Sequence, residues 1–320
     1  MLDAVQLSDP GRQREINEDA FGRYEPSDAA DAARGWLYVV ADGMGGHAAG
    51  DVASKLAMGA ILHEYYESSD WEDPAQGLHL AIVRANDAVY SKGQSDPRLL
   101  KMGTTVVAAI VQGQMLTLAN VGDSRGYLLR EGRLEQLTRD HSWVAKAVED
   151  GVLTLEQARQ HPDRNVIYRS LGADAIVEVQ TYSRRLHAGD RVLLCSDGLT
   201  DVLHDGDIAG IAGGANPGSA AKQLVAEANQ RGGPDNITVT LIAVGPADEN
   251  ARRDRPTPAR QGVLRSDTPV VHEPVRVDER KTVPRGMSAQ NAESSPRAHD
   301  DRPTAPKKRQ NWLRRWLKRD

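Results

Sequence analysis

Between Thr104 and Leu137, apolar runs at 106–111, 115–121, 126–130 and 134–137 follow one another too closely for helices to intervene. Parallel neighbours need a crossover of about a dozen residues or more, whereas antiparallel neighbours need only a tight turn. The stretch therefore reads as an antiparallel meander, turning at Gln112-Gly113 and at Glu131-Gly132. Strand formers at 36–41, 191–195 and 237–244 add to it without the strand–helix alternation of a parallel fold. Helical periodicity fills other intervals. Val52, Leu56, Gly59/Ala60 and His63 mark one face of a helix over about 49–66, and Leu78, Ile82, Ala85 and Val89 mark a second. Thr154 with Gln157 three positions on predicts a capping-box start, and 219–230 ends at Gly232-Gly233-Pro234. The class is α+β.

The chain carries its core-forming residues up to Gly245. Beyond it lie nine of the sixteen prolines and no Ile, Phe or Tyr, so 246–310 is expected to be a disordered basic linker. From Pro246 onward 18 Lys and Arg face 11 Asp and Glu, a net of +7, against 22 and 34 in residues 1–245, a net of −12. An acidic body with a basic tail implies two parts with different partners. Within 311–320, Trp312, Leu313, Trp316 and Leu317 share one helical face opposite Arg314, Arg315, Lys318 and Arg319. With Lys307-Lys308-Arg309 this segment suits contact with an anionic membrane surface, docking onto the acidic body, or binding to a partner as a linear motif. The lone Cys195 excludes an internal disulfide. No run of eighteen apolar residues spans a bilayer, and the first residues lack a signal-peptide pattern. The expected location is cytoplasmic, with peripheral contact at the inner face of the membrane through 307–320.

Acidic residues punctuate the strand ends. Asp42 follows the run 36–41, Asp123 follows Leu118-Ala119-Asn120-Val121-Gly122, Asp197 follows 192–196, Asp235 precedes 237–244, and Glu18 adjoins Asp19. A carboxylate at the mouth of a buried strand is costly unless a cation or hydrogen bonds compensate it. Taken singly, Asp42-Gly43 and Asp197-Gly198 read as turns, and Pro234-Asp235-Asn236 as a loop, ahead of ligands. Asp42-Gly43-Met44-Gly45-Gly46-His47 is too glycine-rich for a plain hairpin and leaves backbone groups free to approach an ion.

Ser8-Asp9, Gly11, Arg14 and Asn17-Glu18-Asp19, followed by Ala41-Asp42-Gly43-Met44-Gly45-Gly46-His47, resemble the opening motifs of the bacterial metal-dependent protein phosphatases of type 2C. The likeness continues through Met102-Gly103-Thr104-Thr105, Asn120-Val121-Gly122-Asp123-Ser124-Arg125 and Thr138-Arg139-Asp140-His141-Ser142. It runs on through His161-Pro162, Arg164-Asn165 and Leu171-Gly172 to Ser196-Asp197-Gly198-Leu199, Asp201 and Asp235-Asn236-Ile237-Thr238. It spans essentially all of 1–245, which makes that span the catalytic domain and 144–172 its flap.

The resemblance implies a four-layer α-β-β-α sandwich of two antiparallel sheets flanked by helices, with metals at one end. It implies that Asp42 bridges two ions and that Gly43 ligates through its carbonyl. Asp197 and Asp235 serve the second ion, Glu18 and Asp19 hold coordinated waters, and Asp123 joins Asp197 at a third ion. Arg14 grips the substrate phosphate. Oxygen donors of this kind favour Mn²⁺ or Mg²⁺ over zinc.

The implied activity is hydrolysis of phosphoserine and phosphothreonine in proteins through a metal-activated water, opposing a cognate Ser/Thr kinase, with no nucleic-acid partner. The alternatives are a phosphatase dedicated to one regulator of the anti-sigma-antagonist type, and a catalytically silent phosphoprotein-binding module. Met44 stands where animal members carry a histidine, and a thioether cannot be a general acid. A coordinated water near Asp123 is then the candidate proton donor, ahead of His47, while His141 and Cys195 read as structural and Asp140 as a loop hydrogen-bonding residue.

Overall fold

A computed structural model of the chain describes residues 2–26, 29–45, 48–68, 71–214, 216–245 and 270–272. Among them are the strands β1 (Leu2–Asp9), β2 (Asp19–Tyr24), β3 (Trp36–Met44), β4 (Gly103–Thr104), β5 (Val106–Gln112) and β6 (Met115–Val121). β7 (Arg125–Arg130), β8 (Arg133–Gln136), β9 (Gln180–Arg185), β10 (Arg191–Cys195), β11 (Ile237–Val244) and β12 (Val270–His272) follow. The helices are α1 (Ala29–Arg34), α2 (Ala48–Glu67), α3 (Pro74–Ser95), α4 (Trp143–Glu149), α5 (Leu155–Arg159), α6 (Asp197–Thr200), α7 (Asp205–Ala212) and α8 (Pro217–Gln230).

One sheet runs β1-β11-β10-β7-β8 and the other β12-β9-β6-β5-β3-β2, with β4 paired to the end of β3. All these pairings are antiparallel. The expected meander is therefore split. β5 pairs with β6 and β7 with β8, but the chain changes sheet between Val121 and Arg125. Gly122, at φ +102°, makes that crossing, and a Cβ there would press on the Thr105 side chain at 2.7 Å. The crossing sets Asp123 at the end of the sandwich and not in a hairpin within one sheet.

Alternation along each strand sorts the core into three slabs. Leu37 and Val39 face α2 and α3, packing with Ile61, Tyr65, Leu78 and Ile82, whereas Tyr38 and Val40 face the other sheet and meet Leu128, Val192, Leu194 and Ile242. On the far side Leu193, Val239 and Leu241 pack beneath Leu224, Ile208 and Leu203. The order is helix, sheet, sheet, helix, as expected.

The α3 face Leu78, Ile82, Ala85 and Val89 is fully buried. The α2 face differs from expectation. Gly59 and Ala60 are buried as expected, together with Ala53, Ala57, Ile61 and Tyr65, while Val52, Leu56 and His63 are only half-buried. Thr154 and Gln157 do form a reciprocal capping box at α5.

Among the described residues no helix is long and apolar enough to cross a membrane. Within the segment expected to lack structure, Val270–His272 pairs with Thr181–Ser183 of β9. The rest of 246–310, the segment 311–320 and His47 lie outside the described residues.

Candidate metal centre

Five chain segments deliver carboxylates to one end of the sandwich. Asp19 opens β2 and stands opposite Asp42, near the end of β3. Asp123 sits in the sheet-changing turn, Asp197 follows β10 at the start of α6, and Asp235 precedes β11. Glu18 completes the group from the loop before β2. All the acidic residues expected at the site are thus brought together, although nearly two hundred residues separate Asp42 from Asp235.

Small residues and amide side chains build the floor. A Cβ on Gly43 would collide with the carbonyls of Gly50 and Glu18, so the strand end and the start of α2 touch through backbone alone. The Asp42 carbonyl accepts the Thr105 N–H (2.9 Å) and the Thr104 hydroxyl (2.8 Å). Asn236 staples the entry loop: its Nδ2 donates to the carbonyls of Pro10 (2.9 Å) and Ile16 (3.0 Å), and its Oδ1 accepts the Glu18 N–H (2.8 Å). Asp19 Oδ2 accepts hydroxyl bonds from Ser196 (2.8 Å) and Thr238 (2.6 Å).

The electrostatics are one-sided. Burial, then the charges of Asp19, Asp197, Asp123 and Asp235, push the Asp42 carboxyl well above the usual carboxylate range. Burial and then Asp123, Asp201, Asp235 and Asp19 do the same to Asp197. Asp19 rises to about 6, chiefly through burial, against the bonds from Thr238 and Ser196. Asp123 rises to about 7 through burial and Asp140. Glu18 is raised by burial as well. Glu18 Oε1, Asp19 Oδ1 and Asp197 Oδ1 are buried with no hydrogen-bond partner. Buried acceptors of this kind are costly unless a cation satisfies them.

The nearby guanidiniums are otherwise engaged or peripheral. Arg125 holds Asp140 through Nε and a terminal nitrogen (2.9 and 2.6 Å), which accounts for Asp140 as a loop-bonding residue. Arg14, half-exposed at the mouth, donates to Asp235 at 2.7 Å. As they lie, no three acidic, histidine or cysteine side chains among the described residues are gathered tightly enough to hold an ion. The donor set still fits a hard cation, because it is all oxygen and three of its buried oxygens are unpartnered.

A protein phosphatase 2C family model matches residues 5–147. The chain is 39% identical over 239 residues to the serine/threonine phosphatase stp of Listeria welshimeri, across 73% of this chain and 93% of that protein. This chain belongs to the protein phosphatase 2C family.

It is also 39% identical over 237 residues to the serine/threonine protein phosphatase PstP of Mycobacterium tuberculosis, across 74% of this chain and 44% of that protein. The crystal structure of the PstP catalytic domain in complex with two manganese ions superposes with a TM-score of 0.67 at 38% identity, covering 76% of this chain and 98% of that one.

This phosphatase carries two features that sequence reasoning passed over. Asp201 lies at the exposed rim, four residues after Asp197, and its carboxyl is raised by burial while Arg164 and Arg125 pull against that rise. Its i,i+4 spacing from Asp197, as the C-cap of α6, was the available signal. The second is a groove of about 500 Å³ running from Asp123, Asp197 and Asp201 beneath the flap, where Val144, Leu155 and Tyr168 line it.

Proposed function

We propose that this chain hydrolyses phosphoserine and phosphothreonine in proteins, using Mn²⁺ or Mg²⁺ held by the carboxylates at the sandwich end. The single observation that carries the reading is the concentration of acidic side chains at this end, with buried oxygens of Glu18, Asp19 and Asp197 left without a hydrogen-bond partner. Asp42 and the Gly43 carbonyl would serve two ions, Asp197 and Asp235 one of these, and Glu18 and Asp19 their coordinated waters. Asp123 with Asp197, joined by Asp201, would hold a third. When bound, such ions lower the pKa of water and neutralise phosphate charge.

The chain's own groups do the rest. Arg14, half-exposed beside Asp235, offers a planar pair of donors to phosphate oxygens and stabilises the charge that builds there. Thr104, Thr105 and Asn236 hold Asp42, Glu18 and the Arg14 loop in fixed relation. The groove under the flap gives a substrate chain a path to the site. Phosphoproteins are the partners this supports, with a cognate Ser/Thr kinase supplying them. The basic segment 307–320 suits contact with anionic lipid at the inner membrane face.

Hydrolysis of p-nitrophenyl phosphate tests the reading. Turnover should require Mn²⁺ or Mg²⁺, vanish with EDTA and vanish in Asp42→Ala. Chelator-resistant turnover would exclude the mechanism, and inactivity of the pure, metal-supplemented protein would favour a silent phosphoprotein-binding module.

A further inference from the structure

The turn that carries Asp123 is held from two sides. On one side the Ser124 and Thr105 hydroxyls lie 2.7 Å apart, and Thr105 Oγ1 accepts the Asp42 N–H at 3.2 Å. On the other side stands His141, 1% exposed. Its ring Nδ1 accepts the Gly122 N–H at 3.0 Å, and its own N–H donates to the Gly122 carbonyl at 2.9 Å. One residue thus satisfies both polar groups of the glycine that precedes Asp123. Because Gly122 adopts φ +102°, its peptide groups do not fall into a regular ladder, and this two-bond clamp replaces one.

His141 is tied to the flap as well. Its carbonyl accepts the Tyr168 N–H at 2.9 Å and Ser142 bridges Ile167, while the Arg169 guanidinium lies 3.3 Å from Nε2 as a neighbouring charge and not as a donor, because Nε2 carries the proton when Nδ1 accepts. Arg169 is itself anchored on Glu178 at 2.6 Å. An acceptor Nδ1 requires the neutral ring, and burial followed by the Arg169 charge lowers the His141 pKa to about 4, so the ring stays neutral near pH 7.

We propose that His141 is a positioning residue for ion binding at Asp123, clamping the Gly122 peptide groups from a site fixed by the returning limb of the flap. The inference rests on the reading of Asp123 as a ligand. It goes beyond a structural role for a buried histidine because it assigns the effect to one ring nitrogen.

His141→Asn and His141→Leu separate the two roles. The Asn amide oxygen falls near the position of Nδ1 and can accept the Gly122 N–H, whereas Leu fills similar volume and cannot. Calorimetric titration of Mn²⁺ into the metal-free full chain should show the binding step that depends on Asp123 weakened about ten- to hundredfold in His141→Leu, the usual cost of losing an outer-shell partner, and largely restored in His141→Asn. Asp123→Asn should remove the same step. Should His141→Leu fail to fold, His141→Gln, whose amide reaches the Nε2 position instead, is expected to weaken the same step. Wild-type Mn²⁺ binding in His141→Leu or His141→Gln, with Asp123→Asn still losing a step, would overturn the positioning role and leave Asp123 as a ligand. If Asp123→Asn itself keeps every step, the reading of Asp123 fails, and this inference fails with it.

Discussion

Strands β7 and β10 lie side by side, with Cys195 opposite Arg125 and Arg191 opposite Leu129. The two ends of this pair treat buried acid in opposite ways. At one end Asp190, 2% exposed, takes two bonds from Arg130 (2.9 and 2.7 Å) and the His187 N–H (2.7 Å). Burial there would raise its carboxyl, but these donors outweigh it and hold the group below the usual range. At the other end Asp197, Asp42 and Asp19 have their carboxyls raised by burial and by neighbouring carboxylates, and Asp197 Oδ1 and Asp19 Oδ1 are left unsatisfied. Where the fold alone is at stake the chain supplies its own cation. At the proposed ion site, buried oxygens of Glu18, Asp19 and Asp197 stay unpartnered.

Asp197→Asn should break the comparison most visibly. Ion-held charge stabilisation is worth several kcal/mol, so activity should fall by about a thousandfold. The metal-free protein should nevertheless melt higher, because one of the mutually repelling groups is gone. A gain of 1 kcal/mol corresponds to roughly 2–4 °C for a domain of this size. Differential scanning calorimetry in EDTA checks the sign, and a lower melting point would mean that Asp197 is already compensated.

Arg130→Met should do the reverse. It leaves Asp190 buried without its cation and should cost about 3 kcal/mol, the low end for a broken buried pair because Arg130 is partly exposed. Turnover per folded molecule should stay unchanged. Urea unfolding measures the first and active-site-normalised kinetics the second. A loss of kcat without loss of stability would show that this end also serves the chemistry.

The contrast was half legible in the sequence. Acidic residues at the ends of apolar runs, together with their family-like order, placed every expected carboxylate at one end before any fold was known. Asp42, Asp123, Asp197 and Asp235 stand out because each lies within two residues of the end of an apolar run. The arrangement of the strands was less readable. β1 (Leu2–Asp9) and β9 (Gln180–Arg185) went unseen because β1 is an edge strand without a fully buried residue and β9 alternates polar residues with only Thr181 and Tyr182 buried. The sheet change at Gly122 was read as part of a meander, since a glycine-containing link looks the same whether it joins strands of one sheet or of two. The Arg14–Asp235 pair and the His141 clamp are long-range or depend on ring orientation, which periodicity does not encode.

The central claim is that these carboxylates are uncompensated until cations arrive, and the melting temperature of the metal-free protein against pH tests it most directly. Asp19 and Asp123 titrate near 6 and 7 in the fold but near the ordinary aspartate value when unfolded, so the folded state binds extra protons between about pH 4 and pH 7. Their contribution to stability therefore falls as pH rises through that window. His141, lowered to about 4, acts oppositely between about pH 4 and 6.5, but it is one group against several. The metal-free protein should melt higher at about pH 5.5 than at about pH 7.5, and saturating Mn²⁺ at the higher pH should more than restore the loss. A metal-free protein that is more stable at the higher pH, with a melting point indifferent to Mn²⁺, would contradict the account.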